Sequence, residues 1–118
     1  MSTIAPKRRG SPEAAIQRAI RDRLLFHGVM SVHVPNAGKR TIASGHRLKG
    51  EGMRPGFPDL ICIGNGRTIF LEVKAPKGRL SPAQEDCHAD MRRAGAVVAI
   101  VFDQDQAVAE CRRAGLCA

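Results

Sequence analysis

Hydrophobic and polar residues follow two rhythms along this chain, one of about 3.6 residues and one of two. From Ser11 the rhythm is helical, with Ile16, Ala19, Ile20 and Leu24 on one stripe. Ser11 supplies an N-cap, Pro12 suits the first turn, and His27-Gly28 ends the helix. Val29 to Val34 reads as a strand closed by Pro35. From Asn36 to Phe57 periodicity disappears and glycines and basic residues gather, a stretch whose length in a small domain points to a functional or mobile segment. Two apolar runs follow, Leu60 to Ile63 and Thr68 to Val73, joined by Gly64-Asn65-Gly66-Arg67, whose Asn-Gly pair favours a tight hairpin. Ser81-Pro82-Ala83-Gln84 combines proline at the first helical position with a capping box, and opens a helix that carries Ala83, Cys87, Met91 and Ala94 on one stripe before Gly95. Ala96 to Phe102 is apolar at every position, the pattern of a strand covered on both faces. Asp103 to Arg113 forms a last helix, with Val108 and Cys111 inward and Arg112-Arg113 in its final turn. The order predicts an α/β fold, with the strand after the helical crossover pairing in parallel in the middle of a mixed sheet.

Length and composition narrow this picture. A chain of 118 residues makes one domain, expected over residues 11–118, with residues 1–10 as a flexible basic arm. No apolar run approaches the roughly 20 residues that span a bilayer, and the start MSTIAPKRRGS lacks the apolar stretch of a signal peptide. A soluble, cytoplasmic protein is expected. Cys62, Cys87, Cys111 and Cys117 show neither C-x-x-C pairing nor zinc-ligand spacing, so they read as core thiols in a reducing compartment.

Charge changes the picture more. The formal net charge is +8, and all the excess lies before the hairpin: residues 1–58 hold eleven Lys or Arg against three Asp or Glu, whereas residues 59–118 hold eight of each. Two dense patches, Lys7, Arg8 and Arg9 and then Lys39, Arg40, Arg47, Lys49 and Arg54, point to a polyanionic partner, and Lys77 after the hairpin joins them. His46 reads equally as a solvated loop residue or a ligand. With no Trp or Tyr and four Phe, stacking on an aromatic platform is excluded as the main binding mode, which favours duplex or branched DNA held by its phosphates.

The candidate chemistry lies at the hairpin. If Asn65 and Gly66 are the loop residues, counting outward sets Asp59 opposite Glu72, with Cβ atoms about 4.5 to 5.5 Å apart on one face. Lys74 shares that face. Opposed acids destabilise a sheet, and a hard divalent cation held through oxygen resolves the conflict. A three-residue loop would turn Asp59 away, so the reading depends on register. Glu13, on the core side of the first helix, is either a favourable acid at a helix N-terminus or a third carboxylate aimed at this pair.

Pro58-Asp59, Glu72-Val73-Lys74 after a short hairpin, and a helix opening with Gln84 together resemble the PD-(D/E)XK nuclease superfamily. More narrowly, GFPDL, FLEVKAPKGRLSPAQ and the Ala-Gly turn before an apolar strand are similar to the small stand-alone virus-type replication-repair nuclease module, VRR-NUC. The resemblance runs from Glu13 to about Phe102 and implies a restriction-endonuclease-like αβββαβ core. It implies Asp59, Glu72 and the backbone carbonyl of Val73 as ligands of Mg²⁺ or Mn²⁺, Lys74 beside the attacking water, and Glu13 and Gln84 as further site residues. It also implies a homodimeric DNA endonuclease acting on branched DNA in the manner of a Holliday-junction resolvase, from a phage or prophage. The other readings are a nickase or flap nuclease that needs a partner, and a non-catalytic basic DNA-binding module.

Overall fold

In the computed structural model, residues 11–35 and 50–118 are described. The elements run α1 (Pro12–Phe26), β1 (Met30–His33), β2 (Leu60–Gly64), β3 (Arg67–Val73), α2 (Pro82–Arg93), β4 (Val98–Val101) and α3 (Gln104–Arg113). This is the expected αβββαβ order followed by one more helix. The sheet is mixed, ordered β1-β2-β3-β4: β1 and β3 both pair antiparallel with β2, and β4 pairs parallel with β3. The basic arm over residues 1–10 and the basic residues Lys7, Arg8, Arg9, Lys39, Arg40, Arg47 and Lys49, with His46, lie outside the described residues.

Local chemistry explains the element boundaries. The Ser11 side chain accepts from the Ala14 N–H. Ser81 and Gln84 close the expected capping box reciprocally, and Asp103 caps α3 by accepting from the Gln106 N–H. In the hairpin, Asn65 and Gly66 take φ of 53° and 73°, the paired left-handed conformation of a type I′ turn. Gly64 then pairs with Arg67 and Leu60 with Leu71, the register of a two-residue loop.

Strand alternation sorts side chains between two layers. Leu60, Cys62, Ile69, Leu71, Val73 and Val101 pack with Ile20 and Leu24 of α1 and with Ala107, Val108 and Cys111 of α3 in one core. The alternate face carries Ile61, Phe70, Glu72 and Val98 toward α2. Inside the core the Cys62 and Cys111 thiols neighbour each other, and that contact, with burial, pushes the Cys62 thiol well above its ordinary range. Cys62, Cys87 and Cys111 are buried free thiols as expected, and Cys117 is half-buried. Among the described residues, no helix is long and apolar enough to cross a membrane.

Two expectations need correction. The apolar stretch Ala96 to Phe102 is not a central strand: among the described residues β4 is an edge strand, and Val97, Ile100 and Phe102 stay 36–48% exposed. Continuous apolarity reflects a parallel strand with one neighbour, not enclosure on every side. The buried stripe of α2 is also rotated, because Cys87 and His88 are buried while Ala83 and Ala94 are exposed.

Gly56 sets how closely the segment before β2 approaches α2. Its φ is +84°, and a Cβ there would lie 2.2 Å from the Ala83 carbonyl oxygen and 2.6 Å from the Gln84 nitrogen. Neither backbone atom can yield without moving the helix. Gly56→Ala is therefore expected to destabilise the protein by roughly 2–3 kcal/mol, at the upper end for a side chain forced into a left-handed conformation. Thermal denaturation followed by circular dichroism measures this; an unchanged midpoint would show that the close approach is not required.

Candidate active site

The register that pairs Leu60 with Leu71 continues one residue outward and sets Asp59 opposite Glu72. Asp59 is fastened on both sides. Its Oδ2 accepts from the Val73 N–H at 2.7 Å, and its carbonyl accepts from the Val34 N–H at 2.8 Å. The side chain therefore reaches across the strand pair and lies along Glu72-Val73. The N–H and C=O of one strand residue point to the same edge, so the carbonyl of Val73 faces the same side as the carboxylate.

Glu72 is 1% exposed. Burial comes first in pushing its carboxyl from the ordinary 4.5 up to about 9, followed by the hydrogen bond and negative charge of Asp59; the Lys74 ammonium works in the opposite direction. Burial beside the Asp59 carboxylate thus favours the protonated form of Glu72. Among the described residues, the Glu72 Oε1 atom nevertheless has no hydrogen-bond partner.

Lys74 follows Glu72 on the same face and is also buried. Its Nζ lies 3.7 Å from Glu13 Oε1, so the first turn of α1 does reach the hairpin. The structure thus brings together Glu13, Asp59, Glu72 and Lys74. Gln84 stands at the start of α2 with its side-chain oxygen accepting from the Ser81 N–H at 2.9 Å, which is the capping role. Arg54 is held by Asp90 of α2 at 2.7 Å, and Lys77 is exposed in the turn after β3.

One residue of this cluster was not singled out from the sequence. His88, one turn after Gln84, is fully buried, and its Nε2 lies 3.3 Å from Glu72 Oε1. Burial lowers its pKa first, and the positive charge of Arg92 adds to that, so the contact is not an ion pair at neutral pH. The available signal was the four-residue spacing from Gln84, which puts both side chains on one face of α2.

The donor set suits a hard cation. Two carboxylates face each other, one has a buried oxygen without a partner, and a backbone carbonyl lies on the same edge. Among the described residues, no three His, Cys, Asp or Glu side chains converge closely enough to hold a metal by themselves. A cation here would need the Val73 carbonyl, water or phosphate oxygens to complete its shell, as Mg²⁺ commonly does.

A family model described as the VRR-NUC domain matches residues 11–102. Two solved structures share the fold. One, described as a VRR_NUC domain, has a TM-score of 0.63 and 23% identity over 87% of this chain and 97% of its own. The other, described as a VRR_NUC domain protein, has a TM-score of 0.67 and 17% identity over 91% of this chain and 90% of its own. No curated protein gives a significant match.

Proposed function

The chain belongs to the VRR-NUC family, whose domain is a nuclease-type module of DNA processing, and we propose that it is a divalent-cation-dependent endonuclease cutting DNA at Asp59, Glu72 and Lys74. The observation that carries this reading is the buried Glu72 carboxyl, set against Asp59 with one oxygen unpartnered. A protein that only held DNA would gain nothing from facing buried acids toward an anion.

Asp59 and Glu72, with the carbonyl of Val73, would hold Mg²⁺ or Mn²⁺. When bound, such an ion supplies a nucleophile at neutral pH and neutralises charge developing on the phosphate. The chain's own part is positional and electrostatic. The Val73 N–H fixes the Asp59 rotamer. Lys74, steadied by Glu13, presents an ammonium on the same face, where it can orient the attacking water and attract the phosphate oxygens. Gln84, which closes the capping box on the opening turn of α2, is assigned a substrate-contacting role as well. Arg54, Lys77 and the basic residues Lys7, Arg8, Arg9, Lys39, Arg40, Arg47 and Lys49 would hold the phosphate backbone.

We take the substrate to be branched DNA and the functional unit to be a homodimer, since two copies related by a two-fold axis place two equivalent centres on two strands. The net charge of +8 and the lack of Trp and Tyr favour phosphate contacts over base stacking. The test is cleavage of a labelled four-way junction beside duplex, flap and single-stranded DNA, in Mg²⁺, Mn²⁺ and EDTA. Paired symmetric nicks on the junction that vanish in EDTA are the expected result. Tight, salt-sensitive binding with no cutting in either metal would instead identify a DNA-binding module, and cutting of the flap alone would replace the junction as substrate.

A further inference from the structure

His88 occupies a place where a helix in a small α/β domain ordinarily sets an apolar side chain. It is fully buried on the face of α2 turned to the sheet, with the Gly56 backbone beside its ring, and neither ring nitrogen makes a well-aligned hydrogen bond among the described residues. The Glu72 Oε1 atom is in the same condition, and the two unpartnered groups face each other at 3.3 Å. Burying either without a partner is costly, and burying both within reach of each other makes sense if they act on each other.

The helix that delivers His88 is itself fixed at two points. Gly56 lies against its first turn, leaving no room for a Cβ, and Arg54 binds Asp90 half a turn beyond His88 at 2.7 Å. The segment entering β2 therefore locks α2 at the distance that brings Nε2 to Glu72.

We propose that His88 is a positioning residue, whose Nε2 edge holds the Glu72 carboxylate in the orientation that meets a divalent cation. This rests on the reading of Asp59 and Glu72 as the cation-binding pair. Groups that orient ligating carboxylates from behind are as much part of such a site as the ligands.

Isothermal titration of the full chain with Mn²⁺ alone tests it without reference to cutting, with melting curves in EDTA recorded for each variant. His88→Gln can extend an amide to the position of Nε2, whereas the amide of His88→Asn ends near Nδ1, short of Glu72. His88→Leu removes the polar group altogether. The expected result is that His88→Gln stays within about threefold of the unmodified protein while His88→Asn and His88→Leu bind Mn²⁺ about 10–100-fold more weakly. If His88→Leu does not fold, the contrast between Gln and Asn decides alone. Folded Asn or Leu variants with undiminished Mn²⁺ affinity would overturn the inference, as would equal weakening in Gln and Asn. Asp59→Ala is run in parallel: undiminished Mn²⁺ binding there would remove the cation-site reading itself and this inference with it, whereas loss of binding there beside unaffected His88 variants would remove the inference alone.

Discussion

Asp59→Asn and Glu72→Gln are each expected to slow DNA cleavage by at least about 1000-fold, equivalent to roughly 4 kcal/mol of lost transition-state stabilisation. Both changes keep the shape of the side chain and remove only its negative charge. An asparagine at residue 59 can still accept the Val73 N–H that Asp59 Oδ2 accepts at 2.7 Å. A glutamine at residue 72 fills the same buried space. The fold should therefore persist, and the loss should be of rate. DNA binding in EDTA should tighten or hold for Asp59→Asn, because removing a negative charge beside a polyanion reduces repulsion, and should hold for Glu72→Gln, because folded Glu72 already carries a proton without cation. Single-turnover cleavage, beside circular dichroism and a binding isotherm at fixed salt, separates these quantities. Cutting by either variant within tenfold of the unmodified protein would show that the paired acids are not the reactive centre. Weakened binding with unchanged single-turnover rate would move them from chemistry to substrate contact.

Much of this arrangement is legible in the sequence. The Asn65-Gly66 pair fixes the length of the hairpin loop, loop length fixes register, and register alone decides that Asp59 and Glu72 share a face. Glu13 follows from helical spacing, since a residue three before Ile16 lies on the stripe turned to the sheet, and it does reach Lys74. What stayed hidden depends on contacts between elements distant in sequence. A run such as Ala96 to Phe102 states that its residues are apolar, but not how many strands lie beside it, and among the described residues β4 has one neighbour. Helical periodicity leaves the stripe of α2 uncertain by one position, and a shift of one carries it from exposed Ala83 to half-buried Gln84 and from Cys87 to include buried His88. The pairing of Arg54 with Asp90 spans 36 residues, so no local pattern could announce it.

The same buried carboxyl leads to a pH dependence with a definite sign. In the absence of divalent cation, folding raises the Glu72 pKa from 4.5 to about 9, first through burial and then through Asp59. The folded state therefore holds a proton that the unfolded chain has released. Below 4.5 both states are protonated and folding gains its full benefit. Between 4.5 and 9 the unfolded chain ionises while the folded protein does not, so stability falls with rising pH, by at most about 1.4 kcal/mol per pH unit. Above 9 the folded state ionises too, and the loss levels off. Other groups titrate over the same range, which makes the difference between the unmodified protein and Glu72→Gln the quantity to follow. Denaturant unfolding in EDTA at intervals from pH 5 to 9 is expected to show Glu72→Gln gaining steadily on the unmodified protein, because its amide needs no proton to lie against Asp59. A divalent cation that binds only the folded state should reverse the trend in the unmodified protein, since it replaces the proton and stabilises by mass action. Glu72→Gln, with half the paired charge removed, should respond little. Parallel stability curves for the two proteins in EDTA would mean that Glu72 is ionised in the folded state, and that Lys74, not a bound proton, balances the acids.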